Sequence, residues 1–185
     1  FVGYGKLSES NAQKLWLLIE PFAAYGFNKA HAASYGKVAY QTSYMKANYP
    51  VEYLAAVLTA DSGDTEAISI FVAEAKRMGT PVLPPDVNES GTVFTVVADG
   101  AAIRFGLSSI KNFGDGISES VITERKTHGA YKTLSDFLSR VGSKNLNRKS
   151  LESLIKCGAL DSLNPSEHKR GTMLENIDTM LAYHR

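Results

Sequence analysis

The run Pro81-Val82-Leu83-Pro84-Pro85 divides this chain and limits what either side of it can become. Proline fixes φ, has no N–H to donate, and disfavours helix in the residue before it, so the stretch is extended and no helix passes through it. The two sides differ in pattern. Upstream, apolar residues recur at helical spacing, and downstream they first alternate and then return to short helical runs.

Upstream, residues 11–24 carry Leu15, Leu18, Ile19 and Phe22 at i, i+3, i+4 and i+7, the stripe of an amphipathic helix that Pro21 should kink or restart. After Gly26 a second helical run covers about 29–48 and is rich in Ala and Tyr. Pro50 sits where a helix often begins and opens a helix over 51–59. Asp64 can cap a fourth helix, whose stripe of Ile68, Phe71, Val72 and Ala75 ends at Gly79. Downstream, 92–97 and 101–105 read as two short strands joined across Asp99-Gly100. From Leu107 the chain turns helical again in short pieces. Thr133 and Asp136 have capping-box spacing, Ser143-Lys144-Asn145-Leu146-Asn147 reads as a polar turn, Asn147 is a candidate cap, and Gly158 ends the helix that carries Leu151, Leu154 and Ile155. A last helix is expected over 166–183. A helix, short turn, helix cadence occurs twice between 107 and 158.

The expected fold is therefore mainly α with a small β element. It has a helical segment over 1–80, a short β connector over 81–106, and a helical region over 107–185.

Composition narrows the function classes. With 44% hydrophobic and 21% charged residues the chain can bury a core. No apolar run approaches the roughly 18–20 residues that cross a bilayer, so no membrane association is expected. The first residues show neither an initiator Met nor a secretory leader, so the chain is expected to begin in mid-protein. Cys157 is the only cysteine, which excludes an internal disulfide and fits a reducing cytosol. With that one Cys and four scattered His, a Cys/His metal site is excluded, and no Asp-x-Asp pair is present to hold metal ions for phosphoryl transfer.

The net charge of +1 hides a segregation. Residues 1–47 hold five Lys and two acids, 48–103 hold two basic and eight acidic residues, and 104–150 hold nine basic and four acidic residues. Two basic stretches of this kind suit phosphate, although solvated faces also produce such blocks.

Two motifs lie in those stretches. In Lys111-Asn112-Phe113-Gly114-Asp115-Gly116, a Gly-x-Gly turn exposes backbone N–H groups at the start of a helix, because glycine permits close approach and positive φ. Such a cradle holds a duplex by its backbone without reading sequence. The same pattern also suits a tight interhelical turn. A second basic turn holds Lys144, Arg148 and Lys149. The other motif is Tyr25-Gly26-Phe27-Asn28-Lys29-Ala30-His31-Ala32-Ala33-Ser34-Tyr35. Asn28 as N-cap would place Lys29 and His31 in the first turn of a helix, suited to a polyphosphate. Equally, Lys29 can point to water and His31 can sit at a packing edge.

Those residues carry a resemblance. The run from Phe22 to Tyr35, the run from Tyr40 to Thr59, Val82-Leu83-Pro84-Pro85-Asp86-Val87-Asn88, Ile103-Arg104-Phe105-Gly106-Leu107, Leu146-Asn147-Arg148-Lys149 and Gly158-Ala159-Leu160-Asp161 occur in the order found in the bacterial DNA polymerase III alpha subunit, the C-family replicative polymerase. The resemblance implies an internal fragment of that family. Residues 1 to about 80 resemble part of the fingers and 107–158 the helix-hairpin-helix region that grips duplex DNA. It implies nucleotide-binding candidates Asn28, Lys29, His31 and Tyr35, and DNA-binding candidates Lys111, Asn112, Gly114, Gly116, Lys144, Arg148 and Lys149. The implied partners are duplex primer-template DNA, a deoxynucleoside triphosphate, the palm and thumb of the same polymerase, and other replisome subunits. Mg²⁺ and the catalytic aspartates belong to the palm, so the fragment is expected to hold no cofactor, to be inactive alone, and to be cytoplasmic. What it should show is weak, salt-sensitive duplex binding through 104–150. A stand-alone helix-hairpin-helix DNA-binding or scaffold protein is the alternative.

Overall fold

A computed structural model describes residues 1–25, 29–163 and 170–183. It divides into two compact units, Phe1–Tyr44 and Met45–Arg185.

The first unit contains α1 (Glu9–Tyr25) and most of α2 (Lys29–Asn48). Ser8 starts α1, its hydroxyl accepting from the Asn11 N–H at 3.4 Å. The helix continues through Pro21 as one element. The carbonyl that Pro21 leaves without a helical donor belongs to Leu17, which is exposed and can turn to water. The apolar stripe expected to be buried is largely not: Leu18 is 70% and Ile19 37% exposed. Among the described residues of this unit Ala12 is the one buried hydrophobic side chain. Two helices have too little facing surface to enclose the stripe.

The second unit begins within α2 and builds two cores. Pro50 opens α3 (Pro50–Ala60) at its first position. Asp64 caps α4 (Thr65–Arg77), its carboxylate accepting from Glu66 N at 2.9 Å and Ala67 N at 3.1 Å. Leu54, Leu58 and Ala75 from these helices pack with Phe94 and Ile103. Glu74 joins the ends of α2 and α4 by ion pairs to Lys46 at 2.8 Å and Arg77 at 2.7 Å. Hydrogen bonds from Arg77 first, and then Lys46, hold its carboxyl down to about 2.

Ile103 comes from a three-stranded sheet of β1 (Val82–Leu83), β2 (Thr95–Val97) and β3 (Ala102–Arg104), ordered β1-β3-β2, and Phe94 immediately precedes β2. The hairpin β2–β3 pairs Val96 with Ile103 across the Asp99-Gly100 turn, as the alternation indicates. The proline-rich stretch is extended as expected and also forms β1, parallel to β3, with Val82 opposite Ile103. Ile103 N–H donates to Pro81 O at 2.9 Å and Phe105 N–H to Leu83 O at 3.0 Å, so the prolines flank the strand without having to donate.

The second core gathers Leu107, Phe113, Val121, Phe137, Leu151, Leu154, Ile155 and Leu160. It is enclosed by a 3-10 turn at Leu107–Ser109, α5 (Asp115–His128), α6 (Leu134–Asn145), α7 (Arg148–Cys157), α8 (Arg170–Glu175) and α9 (Ile177–Tyr183). Thr133 caps α6 by accepting from Asp136 N at 3.1 Å, while the Asp136 carboxylate accepts from Lys132 N at 2.9 Å. A reciprocal pair caps α7: Asn147 accepts from Ser150 N and Ser150 Oγ from Asn147 N, each at 3.0 Å. Gly158 ends α7 in the left-handed conformation at φ 82°, and a Cβ there would run into the Arg170 guanidinium.

Three boundaries differ from the sequence expectation, the first being the strand expected over 92–97, which begins only at Thr95. The polar turn expected over 143–147 is shorter, because α6 continues to Asn145 and the turn is Leu146-Asn147. Leu146 is buried in the core and pulls the chain tight. The expected last helix is two helices, α8 and α9, interrupted at Asn176, whose side-chain amide donates to Thr172 O at 2.9 Å. Its expected first residues lie outside the described ones.

Candidate nucleic-acid interface

Ile110 and Phe113 are both buried, and they anchor a short loop whose Phe113 N–H donates to Ile110 O at 3.0 Å. Pinned from both ends, the loop presents Lys111 and Asn112 to solvent. Asn112 takes the left-handed conformation at φ 62°. This corrects the expectation for the Gly-x-Gly turn: the positive φ falls on Asn112, and Gly114 sits at φ −75°.

The glycines serve the helix end in another way. Gly114 is the N-cap of α5 and offers its first-turn N–H groups no side-chain oxygen. Its carbonyl accepts from Ser118 N at 3.1 Å, and Ser118 Oγ contacts Ser108 Oγ at 3.1 Å, which fixes the start of the helix. Both Gly114 and Gly116 are exposed, and a Cβ at either would meet nothing within 4 Å. Internal packing therefore does not require glycine there. The bare end carries the partial positive charge of the helix and admits an anion to its amides. Asp115 in the first turn carries the opposing charge.

Across from the loop stands α7. Lys111 and Asn112 line one side of a groove of about 800 Å³, and Lys149, Glu152 and Lys156 line the α7 side. Lys156 pairs with Glu152, whose carboxyl it holds below the usual carboxylate range. Neither Lys111 nor Lys149 forms an ion pair among the described residues. The sequence reading missed Glu152 and Lys156. Their i, i+4 spacing on an exposed helix face was a signal, but nothing local to the sequence says that this face looks toward Lys111.

Arg148 is placed differently. From the first position of α7 its guanidinium pairs with the Asp178 carboxylate on α9, which raises its pKa further. Lys144 lies near the end of α6, and its side chain is outside the described residues. The structure thus brings together Lys111, Asn112 and Lys149 but not Arg148.

Other cations of the basic segment are committed to the fold. Arg125 donates to Val87 O at 2.6 Å and Ser90 O at 2.9 Å. Arg140 donates to Glu124 at 3.0 Å and lies 4.4 Å from the centroid of the Tyr131 ring. Arg104 donates to Pro84 O at 2.9 Å and pairs with Glu89. Formal charge overstates what this segment can offer a polyanion.

Within the first unit, Asn28 lies outside the described residues. Lys29 opens α2 with its side chain likewise undescribed. His31 and Tyr35 follow one turn apart with ring centroids 4.3 Å apart, and Tyr35 is 63% exposed. No acidic residue occupies the first turn of α2, so no carboxylate of that turn offsets the positive helix end.

Comparison with known proteins places these features. Residues 79–170 match a model described as a helix-hairpin-helix motif. The DNA polymerase III subunit alpha of Thermus aquaticus is 43% identical over 95% of this chain and 14% of its own length. The corresponding subunit of Chlamydia pneumoniae is 45% identical over 88% of the chain and 13% of its own length. That of Saccharopolyspora erythraea is 48% identical over 81% of the chain and 12% of its own length. The chain thus spans about one-seventh of the length of these relatives, and identity this high along nearly all of it is not produced by a shared small motif. The chain belongs to the DNA polymerase III alpha subunit family, as a segment of it that contains a helix-hairpin-helix region.

Proposed function

We propose that this chain is a non-catalytic, duplex-gripping part of a DNA-directed DNA polymerase. The observation that carries the reading is the open, uncapped start of α5 at Gly114–Gly116, beside the Lys111 and Lys149 groove. Amides at a helix start and lysine ammonium groups are donors to phosphate oxygens, and they contact the backbone of a duplex irrespective of its bases. Lys111, Asn112, Gly114, Gly116 and Lys149 form this grip. Lys144 and Arg148 extend the positive field around it.

In the same reading the start of α2 meets the triphosphate of an incoming deoxynucleotide. Asn28, Lys29 and His31 supply donors there, and the exposed Tyr35 ring lies one turn further on. Phosphoryl transfer and its Mg²⁺ belong to carboxylates of the palm elsewhere in the polymerase. Among the described residues no group of three or more His, Cys, Asp or Glu is placed to hold a metal ion. Among the described residues no helix is long and apolar enough to cross a membrane. The proposed partners are the palm, the thumb and other replisome subunits, in a cytoplasmic setting.

The test is a fluorescence-anisotropy titration of labelled duplexes at low salt. Two duplexes of unrelated sequence should bind with equal affinity, and binding should weaken steeply as salt is raised. A strong sequence preference, or binding indifferent to salt, contradicts the reading.

A further inference from the structure

The groove between the Lys111 loop and α7 has a chemistry that a stacked duplex does not use. Its rim is cationic, but Pro85, Phe105, Ile110 and Cys157 also line it, giving apolar surface below the lysines. The Phe105 ring is held in place by Phe94, with centroids 4.4 Å apart. Burial pushes the Cys157 thiol pKa up, so at neutral pH it is a neutral, apolar part of the wall. The outer surface of a duplex presents phosphates and sugars and keeps its base faces stacked, so apolar surface under a phosphate contact would stay wet. A nucleotide whose base is unstacked offers both halves of the match: a phosphate for the lysines and a flat apolar face for the wall.

We propose that this groove binds an unpaired nucleotide, its phosphate held by Lys111 and Lys149 and its base lying against Phe105 and Ile110. The groove is large enough for one nucleotide and its neighbour, at about 800 Å³. The proposal rests on the nucleic-acid reading above for its two lysines, and on the apolar wall for everything else. The same chemistry fits a nucleotide within a single strand or a free mononucleotide, and the experiment separates them.

Cys157 is the only cysteine of the chain and lines the groove, so its alkylation rate reports occupancy. The thiol is labelled with a maleimide at low salt in the presence of oligo(dT), a blunt duplex of equal phosphate number, or thymidine monophosphate. Oligo(dT) should slow alkylation about tenfold or more at saturation, and severalfold more than the blunt duplex, whose phosphates meet the same two lysines at the rim without filling the groove. Protection by thymidine monophosphate as well would make the ligand a free nucleotide; protection by oligo(dT) alone would make it a nucleotide within a strand. Equal protection by duplex and single strand overturns the proposal, as does no protection by any of the three. In both cases duplex anisotropy still decides the duplex-gripping reading independently. A second variant guards against a reagent effect: Ser153→Trp, which projects an indole into the groove from α7, should cut oligo(dT) affinity about tenfold and leave duplex affinity within twofold. Unchanged oligo(dT) affinity in this variant also overturns the proposal.

Discussion

Lys111, on the loop before α5, and Lys149, in the first turn of α7, line one groove, although two helices separate them in sequence. Among the described residues neither is tied to a carboxylate, which leaves both charges to a phosphate chain. Replacing both by Glu should lower duplex affinity at low salt by about tenfold or more. The slope of log affinity against log salt should become shallower by about two, one for each lost phosphate contact. Anisotropy titrations at four salt concentrations measure both quantities. An unchanged slope removes these lysines from the interface.

Arg148 gives the contrasting case. It is 55% exposed and pairs with Asp178, itself 74% exposed, so its charge is partly offset before DNA arrives. Arg148→Ala should therefore weaken duplex binding less than Lys149→Ala does. Asp178→Asn should strengthen it, because the guanidinium is released and one negative charge is removed. The melting temperature should barely move in either variant, since exposed pairs contribute little to folding. Weaker binding by Asp178→Asn would contradict this account of the pair.

Gly116 separates stability from function. Its φ is not positive and a Cβ would meet nothing, so Gly116→Ala should stabilise the fold by about 0.4–1 kcal/mol through the unfolded chain. The added methyl group stands where a phosphate approaches the α5 amides, and duplex affinity should fall. Urea unfolding and anisotropy on the same sample test the pair of outcomes. Gains in both stability and affinity would mean that nothing docks at this helix end.

Tyr131 sets an alkaline limit. The residue is 3% exposed and its hydroxyl donates to Val121 O at 2.8 Å. Burial is the main cause that pushes its pKa up to about 12. The unfolded chain ionises near pH 10 and the folded one near 12. The stabilisation is therefore complete below about pH 10 and is lost as pH rises toward 12, an effect of up to about 2–3 kcal/mol. Chemical denaturation between pH 9 and 12 should show the loss, and Tyr131→Phe should flatten that part of the profile at the cost of lower stability at neutral pH. A wild-type profile that stays flat to pH 12 would show that Tyr131 is not held neutral in the fold.

What was legible in the sequence was local. Asp64, Thr133, Asn147 and Gly158 mark helix ends because capping depends on atoms three or four residues away. The Asp99-Gly100 turn fixed the hairpin for the same reason. The parallel pairing of Val82 with Ile103 joins distant residues, and a proline-flanked Val-Leu does not reveal its partner. Leu18 and Ile19 have the spacing of buried residues and remain exposed, because periodicity describes a face and not what covers it. For the site, the exposed start of α5 was readable from Gly114 and Gly116. The fate of each arginine was not: Arg104, Arg125, Arg140 and Arg148 found internal partners through tertiary contacts that charge counting does not register.

The most direct test is an amide-resolved NMR titration of the ¹⁵N-labelled chain with a short blunt duplex at low salt. The account predicts the largest shift changes at the N–H groups of Asp115, Gly116 and Ile117, together with Lys111 and Asn112 and the first turn of α7. Changes confined to other surfaces, with the start of α5 silent at saturation, would contradict it.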